Sequence, residues 1–65
     1  MALILTPNIT DPDGFYQELI DSQRDLDEGQ AAMMNAKLVL LLANHVGDRE
    51  VLRAAMAAAR PKTRD

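Results

Sequence analysis

The stretch KLVLLLANHVGD, residues 37–48, decides the fold. Its end is a helix stop: Gly47 suits the left-handed residue that closes a helix, and Asp48 suits the cap that opens the next one. Its middle is harder to place. Val39 to Leu42 set four large apolar side chains in a row, and at 100° per residue a helix points them in every direction. A helix that is apolar nearly all round is normally buried all round.

Working back from Gly47, Asp27 with Gln30 three residues on reads as a capping box, so this helix is expected over about 28–46. Ala31, Met34, Leu38, Leu41, Leu42 and His45 form one broad face, enough to meet two neighbouring helices. Met33, Ala36, Leu40 and Ala43 form a second apolar series on the other side, at i, i+3, i+7, i+10. Between them lies a narrow polar stripe of Gln30, Lys37 and Asn44 at seven-residue intervals.

The neighbours follow from the same signals. Asp11-Pro12 places a capping carboxylate before a proline at the first helical position, which predicts a helix over about 12–24. Phe15, Tyr16, Leu19 and Ile20 gather on one side of it, and Glu18, Asp21 and Asp25 on another. Asp48 opens a third helix over 49–60, with Val51, Leu52, Ala55, Met56 and Ala59 on one face and Arg49, Arg53 and Arg60 as a flanking stripe. Pro61 ends it and leaves 61–65 as a disordered, solvated tail. Ahead of the helices, residues 1–10 read as an extended arm, because Thr6-Pro7 keeps a helix from starting there. The expected fold is therefore all-α, a small three-helix bundle with an extended N-terminal arm.

Sixty-five residues form one domain with a thin core, and natural domains of this length usually add disulfides, a metal or a partner chain. No cysteine is present, which excludes disulfides and thiolate metal sites. The single histidine, His45, builds no metal site alone and reads as a last-turn residue bonded to a nearby carbonyl. Acid clusters at Asp11 and Asp13, and at Asp25, Asp27 and Glu28, lack the ordered spacing of a calcium loop. No metal and no cofactor is expected, and so a partner chain is the remaining support.

The longest apolar run falls short of the roughly 20 residues that span a bilayer. Met1 to Leu5 has no basic residue before it and no small-residue cleavage site after it, so it does not read as a secretory signal. A cytoplasmic protein is expected. The net charge of −3 argues against general nucleic-acid binding. Its distribution is lopsided: residues 1–30 carry seven acids against one base, and residues 31–65 carry six bases against three acids. Charge complementarity between the halves is the simplest reading.

Nothing suggests catalysis. Ser22 has no activating neighbour, and Gly14, Gly29 and Gly47 are isolated rather than gathered into a phosphate loop. The segment DPDGFYQELI followed by NAKLVLLLANHVGD resembles a family of short bacterial proteins of unknown function, a likeness running from about Asn8 to Ala59. The resemblance implies a companion of larger oxidoreductases encoded nearby, such as flavin-dependent aromatic hydroxylases. It brings no catalytic residues.

The cover for the second helix is thus the functional question. An arm carrying Leu3, Ile4, Leu5 and Ile9 that folded back would close a monomer. An arm that stays free leaves Met33, Ala36, Leu40 and Ala43 as a contact surface, with small alanines admitting close helix approach. We take the second reading: a non-enzymatic interaction protein, docking on a larger enzyme subunit or on a copy of itself. Its contact residues are Leu3, Leu5, Tyr16, Met33, Ala36, Leu40 and Ala43, with Arg49 and Arg53 at the rim. The alternative is a helix-turn-helix-like DNA-binding regulator that uses the third helix, with Arg49 and Arg53 on phosphates.

Overall fold

A computed structural model describes residues 2–62. They form three α-helices, α1 (Pro12–Ser22), α2 (Glu28–Val46) and α3 (Arg49–Ala59), preceded by an extended arm. Among the described residues there is no strand. The expected arm and tail are covered only in part, since Met1 and residues 63–65 lie outside the described residues.

Each helix starts on an aspartate. Asp11 accepts a bond from the Gly14 N–H at 3.1 Å, with Pro12 at the first helical position. Asp27 Oδ1 accepts from the Gln30 N–H at 2.8 Å while Gln30 Oε1 accepts from the Asp27 N–H at 3.1 Å, which completes the capping box. Asp48 Oδ1 accepts from Glu50 at 2.9 Å and Val51 at 3.4 Å. These bonds occupy N–H groups that the first turn of a helix cannot satisfy itself. Asp11 holds a left-handed backbone, φ 52°, directly before proline. That conformation is costly for most residues and tolerated by aspartate.

The helix ends are equally local. Gly47 sits at φ 74° and returns its N–H to the Ala43 carbonyl at 2.9 Å, as a left-handed stop should. Arg60 leaves α3 extended, at φ −67° and ψ 127°, the region into which a following proline pushes its predecessor. α1 stops at Ser22, two residues short of the expected Arg24. The Ser22 hydroxyl donates back to the Leu19 carbonyl at 2.7 Å, and Asp25 turns left-handed at φ 68°. Asp25 therefore belongs to the turn and not to the acidic face of α1.

The helices are splayed. The Cα radius of gyration is 14.0 Å, against about 10.7 Å for a closed domain of this length. α2 and α3 are the only pair of helices whose backbones come within 8 Å of each other among the described residues. No described side chain is fully buried. A set of half-covered side chains, the seam of the fold, takes the place of a core: Leu19 in α1, Ala31, Met34, Leu38 and, near its end, Ala43 in α2, and Val51, Leu52 and Ala55 in α3.

This seam corrects one expectation. The broad face of α2 is covered only at Ala31, Met34 and Leu38, whereas Leu41 and Leu42 stay 68% and 55% exposed and His45 is exposed as well. The covered residues of α3 lie in its first two turns, and Met56 beyond them is 67% exposed. An 11-residue helix that diverges after its start cannot reach back along α2.

Candidate protein-contact surface

The sequence dictates that Met33, Ala36, Leu40 and Ala43 share one side of α2, and the capped, uninterrupted helix holds them there over three turns. Met33 is 59% and Leu40 70% exposed. Ala36 is exposed and Ala43 half-exposed. Val39 stands beside them at 64%. Of the series only Ala43 is partly covered, and Met33, Ala36 and Leu40 stand open.

The arm is open too. Leu5 is 80% exposed, with Ile4 and Ile9 above half, while Leu3 is half-covered. Its bends at Thr6 and Thr10 curl it into a hollow of about 490 Å³ lined by Ile4, Leu5, Thr6, Pro7, Asn8, Ile9 and Pro12. A second, shallow groove of about 390 Å³ runs along α2, lined by Gln30, Met33, Met34, Lys37, Leu38 and Leu41. The two share no residue, so arm and helix present separate apolar surfaces.

Tyr16 projects from α1 at 63% exposure. Arg49 and Arg53 lie one turn apart on the exposed side of α3, and neither forms an ion pair among the described residues. The acidic side of α1 is likewise unmatched from across the molecule. Asp21 pairs with Arg24 three residues on and accepts from Gln17, and Glu18 has no ionic partner among the described residues. The complementarity of the two halves is therefore not realised between α1 and α3 of one chain.

Val39, Leu41 and Leu42 join the open surface, so the cover that the run Val39–Leu42 calls for is not supplied by the described residues. One feature escaped sequence reasoning. Gln23 donates from Nε2 to Asn35 Oδ1 at 2.7 Å, the side-chain bond that ties the end of α1 to α2. No periodicity marks such a pair. His45 makes no hydrogen bond with the described residues, so the expected carbonyl contact is absent.

Other chemistry finds little footing. The Ser22 hydroxyl is spent on its own helix. Among the described residues no group of three histidine, cysteine or acidic side chains is gathered to hold a metal ion. Among the described residues no helix is long and apolar enough to cross a membrane.

Accessible area gives the scale of what is open. The chain exposes 6264 Å², where a closed folded monomer of its 7.2 kDa mass exposes about 4100 Å². Roughly 2100 Å² more is open than self-packing would leave, and the exposed large apolar side chains lie on the arm and on all three helices. The surface and the open three-helix frame define a small all-α protein whose apolar residues are turned outward. Comparison with known proteins goes one step further: a model of DUF2783, a protein of unknown function, matches residues 3–61, and the chain belongs to that family. No curated protein and no solved structure gives a significant match.

Proposed function

We propose that the protein is a non-catalytic protein–protein interaction module, a small cytoplasmic accessory subunit that docks on a larger enzyme or on a second copy of itself. One observation carries the reading: the whole circumference of α2 from Val39 to Leu42 is more than half exposed, at 64%, 70%, 68% and 55%. Contiguous apolar surface of this extent marks an interaction site in a water-soluble setting. The arm, with Leu5 80% exposed, offers a second and separate apolar surface, and Arg49 and Arg53 are exposed on α3. The resemblance of DPDGFYQELI and NAKLVLLLANHVGD to short companions of oxidoreductases suggests a flavin-dependent oxidoreductase as the class of larger partner. The absence of cysteine fits a reducing compartment.

The test replaces Met33 and Leu40 together by glutamate. These side chains lie off the half-covered seam, so far-UV circular dichroism should retain the helical signal. Mass by light scattering and co-purification with the native partner should both be lost, because two charges would be buried without counter-ions. A double variant that keeps the wild-type mass and captures the same protein overturns the reading.

A further inference from the structure

We infer that the occupant of the open face is a second copy of this chain, bound as a two-fold dimer with its α2 helices antiparallel. The inference rests on the docking reading above and specifies who docks and in what register. Three observations support it, and each comes from a different property of the chain.

The first is the spacing on α2. Met33, Ala36, Leu40 and Ala43 form a heptad series, and in an antiparallel pair the first position of a heptad faces the fourth of the neighbour. Centred on the level of residue 38, that arrangement sets Met33 against Ala43 of the second copy and Ala36 against Leu40. Every layer then pairs a large side chain with an alanine, so the layers fill evenly and the helix axes can approach to about 8 Å. A two-fold interface must be self-complementary, and this series is complementary to its own reverse.

The second is area. A chain that leaves roughly 2100 Å² more open than self-packing would, on the arm as well as on the helices, has ample area for a standard interface of about 800 Å² per partner. The run Val39–Leu42 needs cover on more than one side. An antiparallel partner supplies it twice over, with its own α2 on one side and its flanking helices beside it.

The third is charge. Antiparallel α2 helices bring the start of one, where α1 is attached, beside the end of the other, where α3 is attached. The acidic α1, with Glu18 and Asp21, then faces the basic α3, with Arg49 and Arg53. Those arginines have no ionic partner within the chain among the described residues, and neither has Glu18. The two halves thus match between copies and not within one.

Because the natural chain has no cysteine, introduced thiols report register cleanly. Ala36→Cys and Leu40→Cys proteins would be prepared singly, mixed in the reduced state, equilibrated and oxidised. The expected result is a disulfide between unlike chains, in several-fold excess over that formed by either variant alone. Leu40→Cys linking to itself as readily as to Ala36→Cys would mean a parallel or shifted pair, and would overturn the proposal.

A charge exchange supplies an independent arm. Glu18→Lys/Asp21→Lys and Arg49→Glu/Arg53→Glu should each weaken the dimer roughly tenfold. Mixing the two should restore it, since every contact between unlike chains is again opposite in sign. A mixture that remains monomeric would place the matching within one chain and overturn the proposal. Light scattering that finds wild-type protein monomeric up to millimolar concentration overturns the second copy while leaving docking on another protein to the Met33→Glu/Leu40→Glu comparison.

Discussion

The two halves of α2 are equally apolar and meet different fates. In the first half Ala31, Met34 and Leu38 are partly covered, at the level where Gln23 reaches across to Asn35. In the second half Val39, Leu40, Leu41 and Leu42 lie open although Gly47 and Asp48 launch α3 only a few residues later. A short connection is therefore no guarantee of cover. What matters is how far the attached helix stays against its neighbour, and the partly covered residues of α3, Val51, Leu52 and Ala55, stop after two turns. The first half serves the chain's own stability, and the second half is the part that the proposed docking would cover.

The sharpest way to break this contrast is a pair of alanine substitutions, Leu38→Ala and Leu41→Ala. Leu38 is half-covered, so its truncation should cost about 1–2 kcal/mol, below the 2–5 of a fully buried leucine. Leu41→Ala should stay within about 0.5 kcal/mol for the isolated chain. Urea unfolding followed by circular dichroism, at dilution low enough to separate chains, compares them directly; equal losses would erase the distinction between the halves.

Gly47→Ala probes the corner at which cover fails. The residue holds φ 74°, and its missing Cβ would meet the nearest backbone atom, the Asn44 carbonyl, only at 3.8 Å. Backbone conformation and not crowding sets the cost, which should be roughly 1 kcal/mol. In amide exchange the loss should appear as faster opening at the end of α2 and the start of α3, with α1 unchanged.

The smallest effect is expected at Gly14→Ala. Glycine inside a helix normally costs about 0.5–1 kcal/mol relative to alanine, so the substitution ought to stabilise. Here a Cβ would stand 2.3 Å from Asp11 Oδ2. The carboxylate must swing away and give up its bond to the residue 14 N–H, a loss of about 1 kcal/mol. The two terms nearly cancel, and the unfolding midpoint should barely move. A clear rise would show that the Asp11 cap contributes little.

These contrasts also explain what the sequence disclosed. Asp11, Asp27, Gly47 and Asp48 announced the helix limits because each acts through bonds spanning no more than four residues. The end of α1 was misplaced by two residues because the Ser22–Leu19 bond and the left-handed Asp25 carry no glycine or proline to advertise them. Membership of a face was legible from periodicity, so Met33, Ala36, Leu40 and Ala43 do share one side. Cover was not legible: Leu41 and Leu42 share the broad face of Met34 and Leu38, and which part of that face is covered depends on how the flanking helices run. The Gln23–Asn35 bond joins residues 12 apart and depends on that same long-range geometry.

The arm carries a consequence of its own. Pro7 is held at fixed φ and narrows the choices of Thr6 before it, while Pro12 at the start of α1 closes the far end of the hollow. Freezing an unrestrained residue costs about 1–2 kcal/mol of chain entropy, and much of that cost at Thr6 and Pro7 is already met before any surface is touched. The hollow from Ile4 to Pro12 is thus a nearly prepaid shape: a peptide that loses little freedom on landing, so that even a modest apolar contact through Leu5 would register as net attraction.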